Sequence, residues 1–429
     1  MGKNYFFLFL VVFFTYPLFG QVNFEVNPSN GKVSYNLNEP ITIEFSIADS
    51  DFIKLKSKEL TITYGPEGAN PKNYNTKRVV LNTNNQVIEL DGQSFPQILR
   101  LKFAVSFEDK EISKEIGLAV GANKINTSVE KPVDFDSFWE KEISNLNNIS
   151  LDTKMVHAPN ISTELLDAYY IDYKVDQFGS RFYGVLTIPK GAKDKKYPAV
   201  VIYPGAGVRG YVGDGRFAKD NIITLQVGVH GIPVNLPPEV YTSMATGALS
   251  GYQYFNLRSK EKYFFNRVIK GCIRAIDFLG TLEKFDGKNI IANGSSQGGA
   301  LSLIITSLDK RIKAAAVYCP ALCQTNGSIK NTAAGWPKPM LEANLNADYS
   351  SNWENTIAYY DVVNFARNIT VPVFMTFGMI DDVTPATTVF AAYNVIKSEK
   401  EHYLKMDVKH ANHPTQLDAV KDYILRKIK

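Results

Sequence analysis

Gly294-Ser295-Ser296-Gln297-Gly298 fits G-x-S-x-G and lies between residues 289–292, which read as an apolar strand, and residues 299–307, which read as an apolar helix. A serine on so tight a strand-to-helix turn projects its hydroxyl out of the sheet. Small neighbours are required because the backbone doubles back on itself. The pentapeptide alone is a weak signal; the strand and helix that flank it give it weight. Ser296 is therefore the candidate nucleophile.

From residue 132 onward, short apolar strands alternate with helices. Residues 197–203, 222–227, 289–292, 314–318, 371–377 and 403–408 have the composition of buried parallel strands. Between them, residues 263–279 read as a helix whose apolar stripe is Ile269, Cys272, Ile276 and Leu279. This alternation predicts an α/β-hydrolase fold, a doubly wound and mostly parallel sheet with its chemistry on loops at the strand C-termini.

A serine hydroxyl needs a base within hydrogen-bond reach, and the base needs a carboxylate to orient it. On this fold they follow in the order Ser, Asp, His. Of the five histidines, His157 and His230 precede the serine, and His402 is placed at the start of the last strand. His410 and His413 lie in the loop beyond, and His410, nearest the strand end, is the expected base. His413, before Pro414, reads as a loop or helix-capping residue. Asp381 and Asp382 follow residues 371–377, and Asp381 is taken as the acid. Thr384-Pro385 reads as a helix start that Asp382 can cap or leave for solvent. Two backbone amides should bind the oxyanion: that of Gln297, and that of Ala206 or its neighbour Gly205 in the small-residue turn after residues 197–203. His230 is a candidate to line the pocket, against a purely structural role.

Residues 22–120 differ. Short alternating segments such as 41–47, 60–64 and 98–107 are separated by turns at 65–68 and 82–85, and no helical period of any length is present. An immunoglobulin-like β-sandwich is expected, as a structural or docking appendage rather than a carbohydrate-binding module. Before it, Lys3, an apolar run over residues 5–14 and Pro17-Leu18-Phe19-Gly20 have the order of a signal peptide cleaved after Gly20. The run is shorter than the roughly 20 residues of a membrane span, and no cysteine follows it to carry a lipid anchor. The expected organisation is thus a leader over 1–20, a β domain over 21–120 and a catalytic domain over 121–429, exported to the periplasm or medium.

The formal charge of +4, or +3 once Lys3 is removed, is too small to indicate nucleic acid or an anionic membrane as partner. Three cysteines argue against a disulfide framework; Cys319 and Cys323 are near enough to pair, but buried thiols are expected. No H-E-x-x-H, paired-cysteine or dinucleotide pattern is present, so no metal and no cofactor are expected.

With these residues placed, the chain resembles the acetyl xylan esterase and cephalosporin-C deacetylase family, carbohydrate esterase family 7, over about 300 residues from Pro132 onward. The likeness rests on residues 132–139, on Arg274-Ala275-Ile276-Asp277-Phe278-Leu279 and on Gly294-Ser295-Ser296-Gln297-Gly298-Gly299, which is similar to the narrower G-x-S-Q-G-G. It extends to Pro320-Ala321-Leu322-Cys323 and to residues 371–394. The resemblance implies a serine esterase and selects Ser296, Asp381 and His410. Two departures stand out: Gly228-Val229-His230-Gly231-Ile232-Pro233 replaces the family's R-G-Q motif, and Ala411 replaces the glutamate after the histidine. The family's hexamer is therefore not carried over, and homo-oligomerisation stays open.

The sequence thus leads to an exported serine esterase removing acetyl or similarly small acyl groups from oligo- or polysaccharide. A serine peptidase on the same fold and a catalytically silent carbohydrate-binding module are the alternatives. The long connections over 207–263 and 324–360, with Tyr241, Tyr252, Tyr254, Trp336 and Trp353, are expected to cover the site, their aromatics serving as lid core more than as sugar platforms. Because the base must be neutral, activity should fall with an apparent pKa around 6–7.

Overall fold

Alternation of apolar and polar residues gives the N-terminal strands one inward face each. In β3 (Ile41–Ile47) that face is Ile41, Ile43, Phe45 and Ile47, and in β7 (Gln97–Phe107) it includes Leu99, Leu101, Phe103 and Val105. A computed structural model describes residues 22–191, 194–339 and 352–428; the apolar leader and its cleavage point lie outside these residues. Strand β3 pairs antiparallel with β1 (Phe24–Pro28) and β6 (Asn85–Leu90). A second sheet runs β2 (Ser34–Tyr35), β8 (Lys110–Val120), β7, β4 (Glu59–Pro66), β5 (Asn75–Val80). The inward faces of both sheets share one hydrophobic cluster, so the two sheets form a sandwich. One expectation fails here: Asp49–Leu55 is a helix. Its seven residues make two turns and bury only Leu55, too little for a helical period to show against the strands.

Nine strands make the larger sheet, in the order β17 (Lys400–Lys405), β16 (Val373–Gly378), β15 (Ile312–Tyr318), β14 (Phe285–Ser295), β12 (Tyr197–Tyr203), β13 (Ile223–Gly228), β11 (Arg181–Pro189), β10 (Leu166–Lys174), β9 (Lys154–His157). Strands β12 to β17 are parallel, and β9, β10 and β11 extend the sheet antiparallel. The chain winds outward in both directions from β12, whose neighbours are β13 and β14. That makes the C-terminal ends of β12 and β14 the switch point where such sheets place their ligands. The antiparallel extension was not anticipated: β9 is exposed throughout and β10 alternates, so both lack the continuous apolar run of the central strands.

The helices Phe264–Gly280 and Gln297–Leu308 cover the sheet and join one core with it. Two boundaries differ from expectation in ways that matter to the site. The helix after Ser296 begins at Gln297 rather than at residue 299, so Ser296 is its N-cap. The last strand is Lys400–Lys405 instead of 403–408, which puts His402 inside it. This is an edge strand with a single buried residue, Leu404, so it has no buried apolar run to mark its start, and the expected strand lies three residues late.

Candidate active site

Ser296 has φ 57° and ψ −120°, a conformation that side chains other than glycine rarely adopt. Its surroundings over-determine it. The Ser296 amide donates to the Tyr318 carbonyl at 3.0 Å at the end of β15, and its own carbonyl accepts from the Ala300 and Ala321 amides, both at 3.0 Å. The flanking glycines are required by proximity, since a Cβ on Gly298 would collide with the Tyr203 carbonyl and one on Gly294 with the backbone of Gly298. The hydroxyl is thereby held above the C-terminal edge of the sheet.

His410 reaches it from the loop after β17. His410 Nε2 is 2.9 Å from Ser296 Oγ, and Nδ1 is 2.7 Å from Asp381 Oδ2. Because a carboxylate only accepts, Nδ1 carries the proton and Nε2 is the free base. Asp381 is fully buried. Its Oδ1 accepts from the Val383 and Thr384 amides at 2.8 and 2.9 Å, and the Thr384 hydroxyl donates to Oδ2 at 2.8 Å. Each carboxylate oxygen thus has partners and the group cannot rotate. Burial pulls the His410 pKa down, but the hydrogen bond to Asp381 and the nearby Cys319 sulfur outweigh it and hold the imidazole above its ordinary value.

Asp382 and His413 occupy the alternative roles foreseen for them. Asp382 points outward, its side chain 76% exposed and paired with Arg100. His413 caps the helix Pro414–Lys427, accepting from the Thr415 amide in a capping box with Gln416.

The turn after β12 lies against Ser296: a Cβ on Gly205 would sit 4.0 Å from Ser296 Cβ. Gln297, first residue of its helix, has an amide without an intrahelical acceptor. Ala206 lends its carbonyl to Arg209, and among the described residues its amide has no protein acceptor. A bridge links the two segments. The Gly207 amide donates to Tyr252 Oη at 3.2 Å, and Tyr252 Oη–H donates to the Gln297 side-chain carbonyl at 2.8 Å. Burial pushes the Tyr252 phenol up to about 12, so the hydroxyl keeps its proton. His230 lies beneath the turn, 7% exposed, with Nε2 3.0 Å from the Gly207 carbonyl and its ring edge-on to Tyr252 at 4.6 Å. Burial, with Arg267 and Arg209 nearby, lowers its pKa.

Several participants escaped the sequence reading. Tyr252 was singled out only as an aromatic of a long connection, and nothing in its local sequence reveals the bridge. Ser295 Oγ donates to Asn412 Oδ1 at 3.1 Å, tying the loop of His410 to the residue beside Ser296. Thr384 was seen only as a helix start. Of the other connection aromatics, Tyr241 and Trp353 are buried and Tyr254 stacks on Trp353 at 6.1 Å. Cys272, Cys319 and Cys323 are buried free thiols. Among the described residues, the one His/Cys/Asp/Glu group with ligand-like spacing is Cys319, Asp381 and His410, with donor atoms within 4.8 Å of one another. Its carboxylate and imidazole are already bonded to each other.

A parallel sheet with its switch point at a strained serine, and a histidine and buried aspartate in line behind that serine, define an α/β-hydrolase with a serine-hydrolase site. Residues 122–426 match the family model described as Acetyl xylan esterase (AXE1). Acetyl esterase Axe7A of Xylanibacter ruminicola is 33% identical over 329 residues, covering 76% of this chain and 73% of that protein. The solved acetyl xylan esterase from Paenibacillus sp. R4 superposes with a TM-score of 0.63 at 26% identity, over 71% of this chain and 98% of that one. Acetyl xylan esterase 1 from a Thermoanaerobacterium species gives the same TM-score at 20% identity, over 72% of this chain and 98% of that one, a likeness of fold. The chain belongs to the acetyl xylan esterase family and is an esterase acting on acetylated carbohydrate.

Proposed function

We propose that Ser296, His410 and Asp381 carry out the hydrolysis and that the Gln297 and Ala206 amides bind the oxyanion. The 2.9 Å contact between His410 Nε2 and Ser296 Oγ carries this reading. As Oγ bonds to the acetyl carbonyl carbon, Nε2 takes its proton. The bond to the sugar oxygen then breaks as Nε2–H protonates that oxygen, leaving acetyl-serine. Water, deprotonated by His410, attacks the acyl carbon, and collapse releases acetic acid and restores the hydroxyl. Asp381 holds the tautomer and stabilises the imidazolium.

Tyr252, with His230 behind it, sets the spacing between the two amides. Tyr252→Phe removes only the hydroxyl and is expected to lower kcat on 4-nitrophenyl acetate roughly tenfold with KM unchanged, a fraction of the loss seen when an oxyanion donor itself is deleted. Wild-type kcat in this variant would remove the bridge from catalysis.

The substrate proposed is an acetylated oligo- or polysaccharide met outside the cytoplasm, the leader over residues 1–20 directing export. The two-sheet sandwich supports an immunoglobulin-like reading of the N-terminal domain, and a family match that begins at residue 122 supports dividing the chain at about residue 121. Acetate release from acetylated xylan and from other acetylated polysaccharides, alongside turnover of 4-nitrophenyl acetate and an aminoacyl anilide, tests the assignment. Cleavage of the anilide alone would overturn it.

A further inference from the structure

The N-terminal sandwich touches the hydrolase at the two segments that carry Asp381 and His410. Strand β8 lies backbone to backbone against both. The Gly117 amide donates to the Met406 carbonyl at 2.8 Å, just past β17 on the way to His410. Any Cβ on Gly117 would collide with the backbone of Met379, two residues before Asp381. Met406 packs on the sandwich's own hydrophobic cluster, while Ile98 and Ala119 of the sandwich join the hydrolase core.

Beyond Asp381 a second contact is built from buried polar groups. Glu67, 9% exposed at the start of the turn after β4, accepts from the Thr387 amide at 2.8 Å. Thr387 is in the first turn of the helix Ala386–Val395, so Glu67 satisfies one of that helix's unpaired amides and places a carboxylate at its positive end. Arg100 Nη1 lies 3.4 Å from Glu67 and 3.0 Å from Asp382. The pair with exposed Asp382 adds little by itself, and burial outweighs the Thr387 amide and Arg100 at Glu67, pushing its carboxyl up to about 7, so the hydrogen bond to Thr387 is the contact that ties the buried group to the helix after Asp381.

Residues on both sides of Asp381, Met379 before it and Asp382 and Thr387 after it, are therefore held by the sandwich. We infer that the N-terminal β module is a positioning element of the esterase, with Glu67 and the Gly117 edge fixing the loop from which Asp381 orients His410. This rests on the assignment of Ser296, His410 and Asp381 above.

The full chain carrying Glu67→Ala, Glu67→Gln or Asp382→Asn tests it. Glu67→Ala should lose about tenfold in kcat on 4-nitrophenyl acetate with KM unchanged, as expected for a small misplacement of a catalytic group. The acid limb of its kcat/KM profile should move to lower pH as Asp381 loosens its hold on the imidazole. Glu67→Gln should recover most of the loss, because its amide oxygen still accepts from Thr387, and Asp382→Asn should stay within about twofold of wild type. Titration of active sites with a phosphonate, below the melting temperature of each variant, normalises kcat to folded enzyme. Wild-type kcat per site and an unmoved acid limb in Glu67→Ala would overturn the inference, even if its Tm fell. Ser296→Ala separates the two levels: if it keeps activity, the site assignment fails, and if it is dead while Glu67→Ala is silent, only the positioning role fails.

Discussion

Ser296→Ala is expected to lower kcat on the order of 10⁴- to 10⁶-fold while leaving KM and the melting temperature near wild type. The hydroxyl is the only atom lost, and the backbone bonds that hold residue 296 in place are made by its amide and carbonyl, so the elbow persists without the nucleophile. His410→Ala should cost nearly as much, because the serine then keeps its proton. The combined variant should be scarcely worse than either alone. The two groups perform one step together, and the activity left would come from the oxyanion amides and substrate binding. Steady-state rates for the three variants, read beside wild type, decide it. Losses that multiply in the double variant would mean that the 2.9 Å contact is not the path of the proton.

The second large effect belongs to the buried carboxylate. Asp381→Asn preserves shape but offers an amide where His410 Nδ1–H needs an acceptor, so the wrong tautomer is favoured and kcat should fall about 10⁴-fold. A pH profile adds a signed prediction. With Asp381 present, the His410 pKa is held above its ordinary value of about 6.5, so kcat/KM should rise with pH through a limb above that value, higher than the 6–7 expected from sequence alone. In Asp381→Asn burial acts without the carboxylate opposing it, and the residual activity should show its limb at lower pH. Stability runs the other way. The raised pKa favours the folded state fully below about pH 6.5, and that contribution is lost as pH climbs through the folded value. Wild-type and Asp381→Asn limbs that coincide would sever Asp381 from the base.

Ser296 and Asp381 could be placed from the sequence because each follows a strand whose apolar run is dictated by burial on both faces. β12, β14, β15 and β16 have such runs, and the loops after β12, β14 and β16 carry Ala206, Ser296 and Asp381. His410 was found although its strand was placed three residues late, since order along the chain and nearness to a strand end tolerate that error. What stayed hidden depends on separations no local pattern encodes. Tyr252 meets Gln297 across 45 residues, Ser295 meets Asn412 across 117, and Arg100 meets Asp382 across 282. Of the antiparallel strands, β9 is exposed throughout and β10 alternates, so neither shows the uninterrupted apolar run that identified the others; β11 has a buried stretch from Gly184 to Thr187 and was missed all the same.

The backbone at Ser296 also bears on when the enzyme becomes an enzyme during folding. A residue at φ 57° and ψ −120° gains nothing locally from that shape. It is imposed by Tyr318 at the end of one strand, by Ala321 beyond it and by the close approach of Tyr203 to Gly298. These partners come from segments up to about a hundred residues apart, so they meet only once the sheet is laid down and the helix has docked. On the mechanism proposed for Ser296, nucleophilicity is therefore a late property of this chain: partly folded forms hold the serine as an ordinary, unreactive alcohol, and recovered turnover during refolding should trail the recovery of secondary structure.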